Sequence, residues 1–305
     1  MVELVIQNGV NALQWGSFYS LIALGYCLVY GVLSLINFAH GDIFMVGAYI
    51  AFFVSTLLLG VSTPVLPNGV ILALTIPLTM ALTAGVGVFI ERVAYRPLRK
   101  KGAHKLYVVI TSLMCGLMLE SGNLALLGAS RKKFPDLLDK VVYTVGGVSI
   151  TNLKIIVVVA APIVFLLLQF IVTKTRAGMA MRAISYDRLA VPLMGIPIDY
   201  IIIVTFVLGS AMAGLAGVLF ALSYPVLEPY MGALMGWKAF IAAVVGGIGD
   251  IRGAFVGGFL LGFLEIIVVA VFPSAFRDLI AFAILLVILS LRPTGLFGVA
   301  KTTKI

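Results

Sequence analysis

The chain has 305 residues, 62% of them hydrophobic and 11% charged, with a mean hydropathy of +1.18 and a net charge of +9. Soluble domains carry about 25% charged residues, so this is an integral membrane protein with no stretch left over for a soluble ATPase or receptor domain. Its basic residues sit in short loops between apolar runs, which the positive-inside rule explains better than nucleic-acid binding does.

The N-terminus, MVELVIQNGV, has no basic region and no small-residue cleavage site, so no cleaved signal peptide is expected. Apolar runs follow at approximately 12–34, 36–59, 69–91, 106–128, 153–173, 200–222, 233–249, 253–271 and 275–291. A bilayer core takes a helix of about 20 apolar residues, and none of these runs alternates with period two as barrel strands do. The predicted class is an all-α integral membrane protein of about 8–10 transmembrane helices, the count depending on broken or re-entrant segments.

The first two runs meet at Ser34-Leu-Ile-Asn37-Phe-Ala-His40-Gly41-Asp42, a polar patch inside an apolar region. A broken helix leaves free N–H and C=O groups that can hold an amino acid's carboxylate and ammonium. Asn37 and His40 therefore have the best claim to a substrate pathway, with Gly41 and Asp42 beside them. His40 and Asp42 lie two apart and point to different sides of a helix, which argues against a shared metal ion. Neither a metal site nor a catalytic Ser/His/Asp set is expected. Cys27 and Cys115 each lie in an apolar run and read as packing residues.

The loop holding Arg92, Arg96, Arg99, Lys100, Lys101 and Lys105 is the strongest cytoplasmic signal. The tail, with Arg292, Lys301 and Lys304, is a further one, and counting spans backwards puts the N-terminus outside. Arg131, Lys132 and Lys133 then fall outside, partly offset by Asp136 and Asp139. Glu120, Glu228, Lys238 and Glu265 join Asp42 as ionisable residues at or near membrane depth. Such groups pair internally, snorkel, or face a bundle interior or water path.

Thr175–Gly195 interrupts the apolar pattern with Lys174, Arg176, Arg182, Asp187 and Arg188. Good helix formers over Met179–Ala190, between Gly178 and Gly195, predict a short helix along the cytoplasmic surface. Either it is a solvated connection that sets topology, or it docks a soluble partner. In the second half, Ser223 to Gly232 is another polar break, so Gly31–Tyr49 and Gly217–Trp237 read as corresponding elements of two halves. Gly247-Ile-Gly249-Asp-Ile-Arg-Gly253 lacks the spacing and the preceding strand of a nucleotide loop. It reads as a tight cytoplasmic turn between close-packed helices, with Asp250 and Arg252 at the turn.

Five stretches together carry a resemblance. LINFAHGDIFMVGAY (35–49), ERVAYRPLR (91–99), TRAGMAMRAISYDRLAVPLMGI (175–196), GGIGDIRGA (246–254) and RPTGLFG (292–298) occur in the order found in permeases of branched-chain amino acid ABC importers. The chain resembles that family over essentially its whole length, and the first of its two homologous permeases most. The resemblance implies an ABC importer permease fold, with 1–305 as a single transmembrane permease domain in a bacterial inner membrane. It implies carriage of branched-chain amino acids by alternating access. The expected partners are a second homologous permease subunit, two ATP-binding-cassette ATPase subunits, a periplasmic substrate-binding protein and membrane lipid. ATP and Mg would sit on the ATPases, with no cofactor and no enzymatic activity in this chain.

On the same resemblance, 174–195 is the ATPase-coupling segment. Thr175, Arg176, Gly178, Arg182, Ala183, Asp187 and Gly195 match the family pattern. The EAA loop of ABC importers is degenerate here: Leu189 stands in place of the acid, Val191 in place of the second Ala, and Pro192 cannot continue a helix interior. Relatives within the family carry urea, short amides or other amino acids, and these remain alternatives. Outside the family, the rivals are a gated channel and an ion-coupled secondary transporter, which favours an intramembrane acid such as Glu120 or Glu265.

Overall fold

The computed structural model describes residues 2–61, 66–188 and 190–298. Leu189, Lys301 and Lys304 lie outside them. Eleven helices are present among the described residues: α1 Val2–Leu33, α2 His40–Val61, α3 Asn68–Ile90, α4 Arg96–Lys100, α5 Lys105–Leu127, α6 Asn152–Lys174, α7 Arg176–Tyr186, α8 Ile198–Ser223, α9 Met231–Gly247, α10 Ile251–Val271 and α11 Arg277–Leu291. Eight helical segments among the described residues are long and apolar enough to cross a membrane, with α3 and α4 counting as one continuous helix over Asn68–Lys100.

One span differs from the hydropathy reading, and another, α9, is as short as its apolar run, 233–249. At 17 residues, α9 is about 25 Å long, short of a hydrocarbon core of about 30 Å. It therefore crosses only with the help of the irregular chain before it. In contrast, α1 starts ten residues earlier than its apolar run, and its first turns project beyond the bundle. They are held there by a hairpin of β2 (Val142–Val145) and β3 (Val148–Thr151). The Gln7 side chain donates to the Ser149 carbonyl at 3.2 Å and accepts from its N–H at 2.9 Å. The hairpin turns on Gly146-Gly147, both at positive φ, as a two-residue turn between twisted strands requires. A second small ladder pairs β1 (Lys132–Lys133) with β4 (Val226–Leu227). Neither was anticipated from the sequence.

From Ala12 to Leu33, α1 is largely buried and forms the axis of the bundle, with α8, α9, α10 and α2 around it. The outward faces of α3, α5 and α6 carry exposed apolar side chains such as Leu78, Phe89, Leu126 and Phe170, as a lipid-facing surface must. Small residues set the closest approaches: Gly262 against Gly16, Gly258 against Ser20, and Gly257 against Ala242. In lipid, where apolar burial gives helices no drive to associate, such close backbone packing is what holds them.

Basic residues 96–105, α7 and the Gly247–Asp250 turn gather at one end of the bundle. The first turns of α1, the hairpin and Arg131–Lys133 gather at the other. By the positive-inside rule the first end is cytoplasmic.

Candidate functional site

The break between α1 and α2 is a built feature. Leu33 ends α1, and Ser34 adopts φ 52°, a left-handed conformation uncommon for a residue with a side chain. Its N–H still closes onto the Tyr30 carbonyl at 2.7 Å. The chain then returns into the bundle in extended form. His40, the first residue of α2, lies against Tyr26, with ring centroids 4.7 Å apart. Tyr26 is about two turns back along α1 from Leu33. So α2 begins part-way through the membrane thickness.

Each predicted pathway residue has a distinct environment. Asn37 is buried, and its Oδ1 accepts from the Tyr95 hydroxyl at 2.7 Å. The His40 ring is buried with its Nε2 against Gly25 of α1, and that nitrogen has no partner among the described residues. The Gly41 N–H donates to the Tyr26 hydroxyl at 3.2 Å. A Cβ on Gly41 would fall 2.5 Å from Gly236 Cα, so the backbones of α2 and α9 touch there. Asp42 faces the other way, between Gly116 of α5 and Gly232 of α9. Asn37 and His40 thus face α1 and α3, and Asp42 faces a cavity of about 280 Å³ that Glu120 also lines. The two predicted half-elements pack against each other, Gly41 on Gly236 and Gly217 on Phe44 and Ala48.

The ERVAYRPLR stretch supports this break. Pro97 has no N–H to return to the helix, and the ladder widens to a π turn over Glu91–Tyr95, with Arg96 N–H reaching Glu91 O. The turn aims Tyr95 at Asn37. Glu91, fully buried, pairs with Arg99 at 2.9 Å. Arg99 and Arg96 both bind Asp199 at the start of α8, at 2.6 and 2.9 Å. Sequence reasoning took these residues as a topology signal and missed their partners, because Asn37 and Asp199 are remote along the chain.

Deeper in the bundle, Glu265 of α10 accepts from the Tyr19 hydroxyl at 2.7 Å and pairs with Lys238 of α9 at 2.9 Å. Arg277 also pairs with Glu265, and Lys238 reaches Asp278 at 2.6 Å. The pairing of Glu265 with Lys238 realises the internal-pair alternative. Glu228 pairs with Arg131 at 2.8 Å on the surface. No disulfide joins Cys27 and Cys115, which are free and buried.

At the cytoplasmic end, α7 begins three residues before the predicted helix. The Thr175 hydroxyl accepts from Gly178 N–H at 3.1 Å, capping the helix N-terminus, and donates to the Ile171 carbonyl of α6 at 2.6 Å. Gly178 lies inside the helix rather than bracketing it, because any side chain there would strike the Ile171 and Val172 carbonyls. The helix also stops earlier, at Tyr186. Asp187 turns extended, its carboxylate accepting from Ala190 N–H at 3.1 Å, and Pro192 opens a separate 3₁₀ turn over Val191–Met194 that Gly195 ends at φ 76°.

Gly178, Met181 and Ile184 bury one face of α7, with Met181 against Cys27 and Leu28 of α1. Arg176, Arg182 and Asp187 are exposed, and Ala183 is half-buried. Tyr186, Leu193 and Met194 are 93%, 89% and 74% exposed. Bare apolar side chains on a polar face are what protein or membrane contacts use. Arg188 turns inward instead. Burial, and then the charge of Arg99, lower its pKa below the ordinary guanidinium value, with Asp199 opposing. The Gly247–Asp250 turn is as expected, with Asp250 capping α10 through Arg252 and Gly253 N–H at 2.7 and 3.1 Å.

Residues 8–289 match the family model described as the permease component of a branched-chain amino acid transport system. The chain is 39% identical over 304 residues to the high-affinity branched-chain amino acid transport system permease protein BraD of Pseudomonas aeruginosa, covering 98% of each chain. It is 35% identical over 307 residues to LivH of Escherichia coli, a permease protein of the same description, covering 98% of this chain and 97% of that one. A probable branched-chain amino acid transport permease of Methanocaldococcus jannaschii is 28% identical over 303 residues, covering 95% and 91%. No solved structure matches.

Proposed function

Since the chain belongs to the branched-chain amino acid transport permease family, we propose that it is the membrane-spanning permease subunit of an ABC importer that carries branched-chain, hydrophobic amino acids across a bacterial inner membrane. The observation that carries this reading is 39% identity across 98% of both chains to a permease of that description. The chain is a multi-pass membrane protein, and its relatives are transport components, not catalysts. ATP hydrolysis then belongs to two partner ATPase subunits, and delivery of substrate to a periplasmic binding protein. A second homologous permease completes the path. Asn37, His40, Gly41 and Asp42 line or brace that path at the α1–α2 break. Thr175, Arg176, Gly178, Arg182, Ala183, Asp187 and Gly195 shape the surface that meets the ATPase. Of these, Thr175, Gly178 and Gly195 hold the segment's shape, and Arg176, Arg182 and Asp187 present its charges.

The experiment has two arms. The complex reconstituted with both permeases, the ATPases and the binding protein should accumulate leucine only with ATP. Accumulation of urea or a short amide instead would move the substrate to another branch of the family. In the second arm, Arg182→Glu places a wrong charge at the ATPase contact. Reversing one member of a buried interfacial pair costs about 2–5 kcal/mol, roughly thirtyfold or more in affinity. The variant should insert normally yet lose ATPase subunits on purification. Normal assembly with normal substrate-stimulated hydrolysis would remove Arg182 from the coupling surface.

A further inference from the structure

Asp42 is 7% exposed, and its Oδ1 has no hydrogen-bond partner among the described residues. A buried carboxylate without a partner is costly, and in a membrane interior it marks function. The surroundings keep it bare. A Cβ on Gly116 would lie 2.5 Å from Oδ2, and one on Gly232 would lie 2.8 Å from Oδ1, so glycine on both sides leaves the group room but no partner. The nearest lysine along α9, Lys238, is committed elsewhere, to Glu265 and Asp278.

Asp42 opens into the cavity between α1, α2, α5 and α9 that Glu120 lines from α5. Among the described residues no cationic side chain lines it. Apart from Tyr26, whose hydroxyl accepts from Gly41 N–H, the remaining wall is apolar and aromatic, with Phe38 and Trp237 at 5.1 Å between centroids, and Leu113 and Leu117. Its volume of about 280 Å³ is at the small end of ligand pockets. Gly232 and Ala233, from the first turn of α9, complete the lining, and no side chain caps that helix. A helix N-terminus attracts a carboxylate through its free N–H groups and its dipole.

A hard metal ion needs six or more oxygen ligands, and this cavity offers two carboxylates amid hydrocarbon. An ammonium group attached to an apolar body fits better, and a carboxylate on the same molecule has a place at α9. We propose that this cavity receives the zwitterion of a hydrophobic amino acid, with its ammonium on Asp42 and Glu120, its carboxylate at the N-terminus of α9 and its side chain against Phe38 and Trp237. This rests on the importer reading above and adds to it Glu120, the α9 terminus and the orientation of the substrate.

The test uses the purified complex with its partner subunits and an Ala233→Cys substitution on the cavity wall, both natural cysteines being buried. Maleimide labelling of position 233 is followed against leucine, against 4-methylpentanoate, which lacks the ammonium, and against 3-methylbutylamine, which lacks the carboxylate. Leucine should protect, and each analogue should need about tenfold more or worse, as loss of a charge-assisted hydrogen bond predicts. Glu120→Gln should raise the leucine concentration for half-protection by a similar factor and erase the preference over 4-methylpentanoate, while Glu120→Asp keeps part of it. Equal protection by leucine and 4-methylpentanoate overturns the proposal, as does unchanged protection in both Glu120→Gln and Asp42→Asn. ATP-driven leucine uptake by the same preparation separates the two readings. Uptake without ammonium-dependent protection removes the cavity and leaves the importer, whereas neither uptake nor protection removes both.

Discussion

Two of the sets of charges inside the bundle are treated in opposite ways. Around Glu265, charges of both signs and a tyrosine hydroxyl close on one another, tying together α1, α9, α10 and α11. Around Asp42 there is a second carboxylate, two glycines and no cation. Lys238 and Trp237 are neighbours in α9, yet one belongs to the closed network and the other walls the open cavity. The same desolvation cost applies in both places. Where partners answer it, the charges brace the fold. Where no described residue answers it, the proposed substrate's ammonium would.

The contrast breaks most sharply at Lys238. Lys238→Ala takes from the buried Glu265 one of its two cations and leaves the half-exposed Asp278 without its lysine, a loss of about 3–5 kcal/mol. The yield of folded complex and its melting temperature in detergent should both collapse. Pairing Lys238→Met with Glu265→Gln should recover most of that loss. Retained stability in the single variant would mean the network is not closed.

Tyr95→Phe tests the brace behind the break. It leaves the buried Asn37 Oδ1 unanswered, at a cost of about 1–3 kcal/mol. A lowered melting temperature with α2 still inserted is expected, and an unchanged one would disconnect the π turn from the break.

Asp42→Asn should have the smallest effect on stability, and of the opposite sign. Removing an unpaired buried charge should raise the melting temperature by about 1–2 °C, against roughly 2–4 °C per kcal/mol for domains of 150–250 residues. Leucine protection should fall at the same time. Activity lost while stability rises is the signature of a site held at the fold's expense. A fall in both would make Asp42 a structural residue like Glu265.

Much of the architecture was legible because hydropathy is a local property. The apolar runs located the spans, and the polar patch at 34–42 located the α1–α2 break. The charged stretch after α6 announced a surface helix, though its ends came out differently because Thr175 and Asp187 supply the caps. The Gly146-Gly147 pair between Val145 and Val148 carried a hairpin signal that was passed over. The shortness of α9 was already present in its apolar run, 233–249, which is as long as the helix and set two places later because the apolar pattern continues into the Gly247–Asp250 turn. The site was legible only in half. Asn37, His40 and Asp42 stand together in sequence, but Glu120, Gly232 and Tyr95 meet them only through the fold. No local pattern distinguishes Glu265, which is paired, from Asp42, which is not.

Where Gly41 meets Gly236, the two peptide chains touch with nothing between them. Interlocked side chains hold neighbouring helices in register as gear teeth do, because a packed interior resists deformation. Bare backbone has no teeth. Along this track a small shift of α2 against α9, the shear type of domain motion, meets few interlocked side chains. Asp42 rides on one rail, and Gly232 and Trp237 ride on the other. A shift along the track changes the width of the chamber between them, and carries Met45, which packs on Gly232, with it.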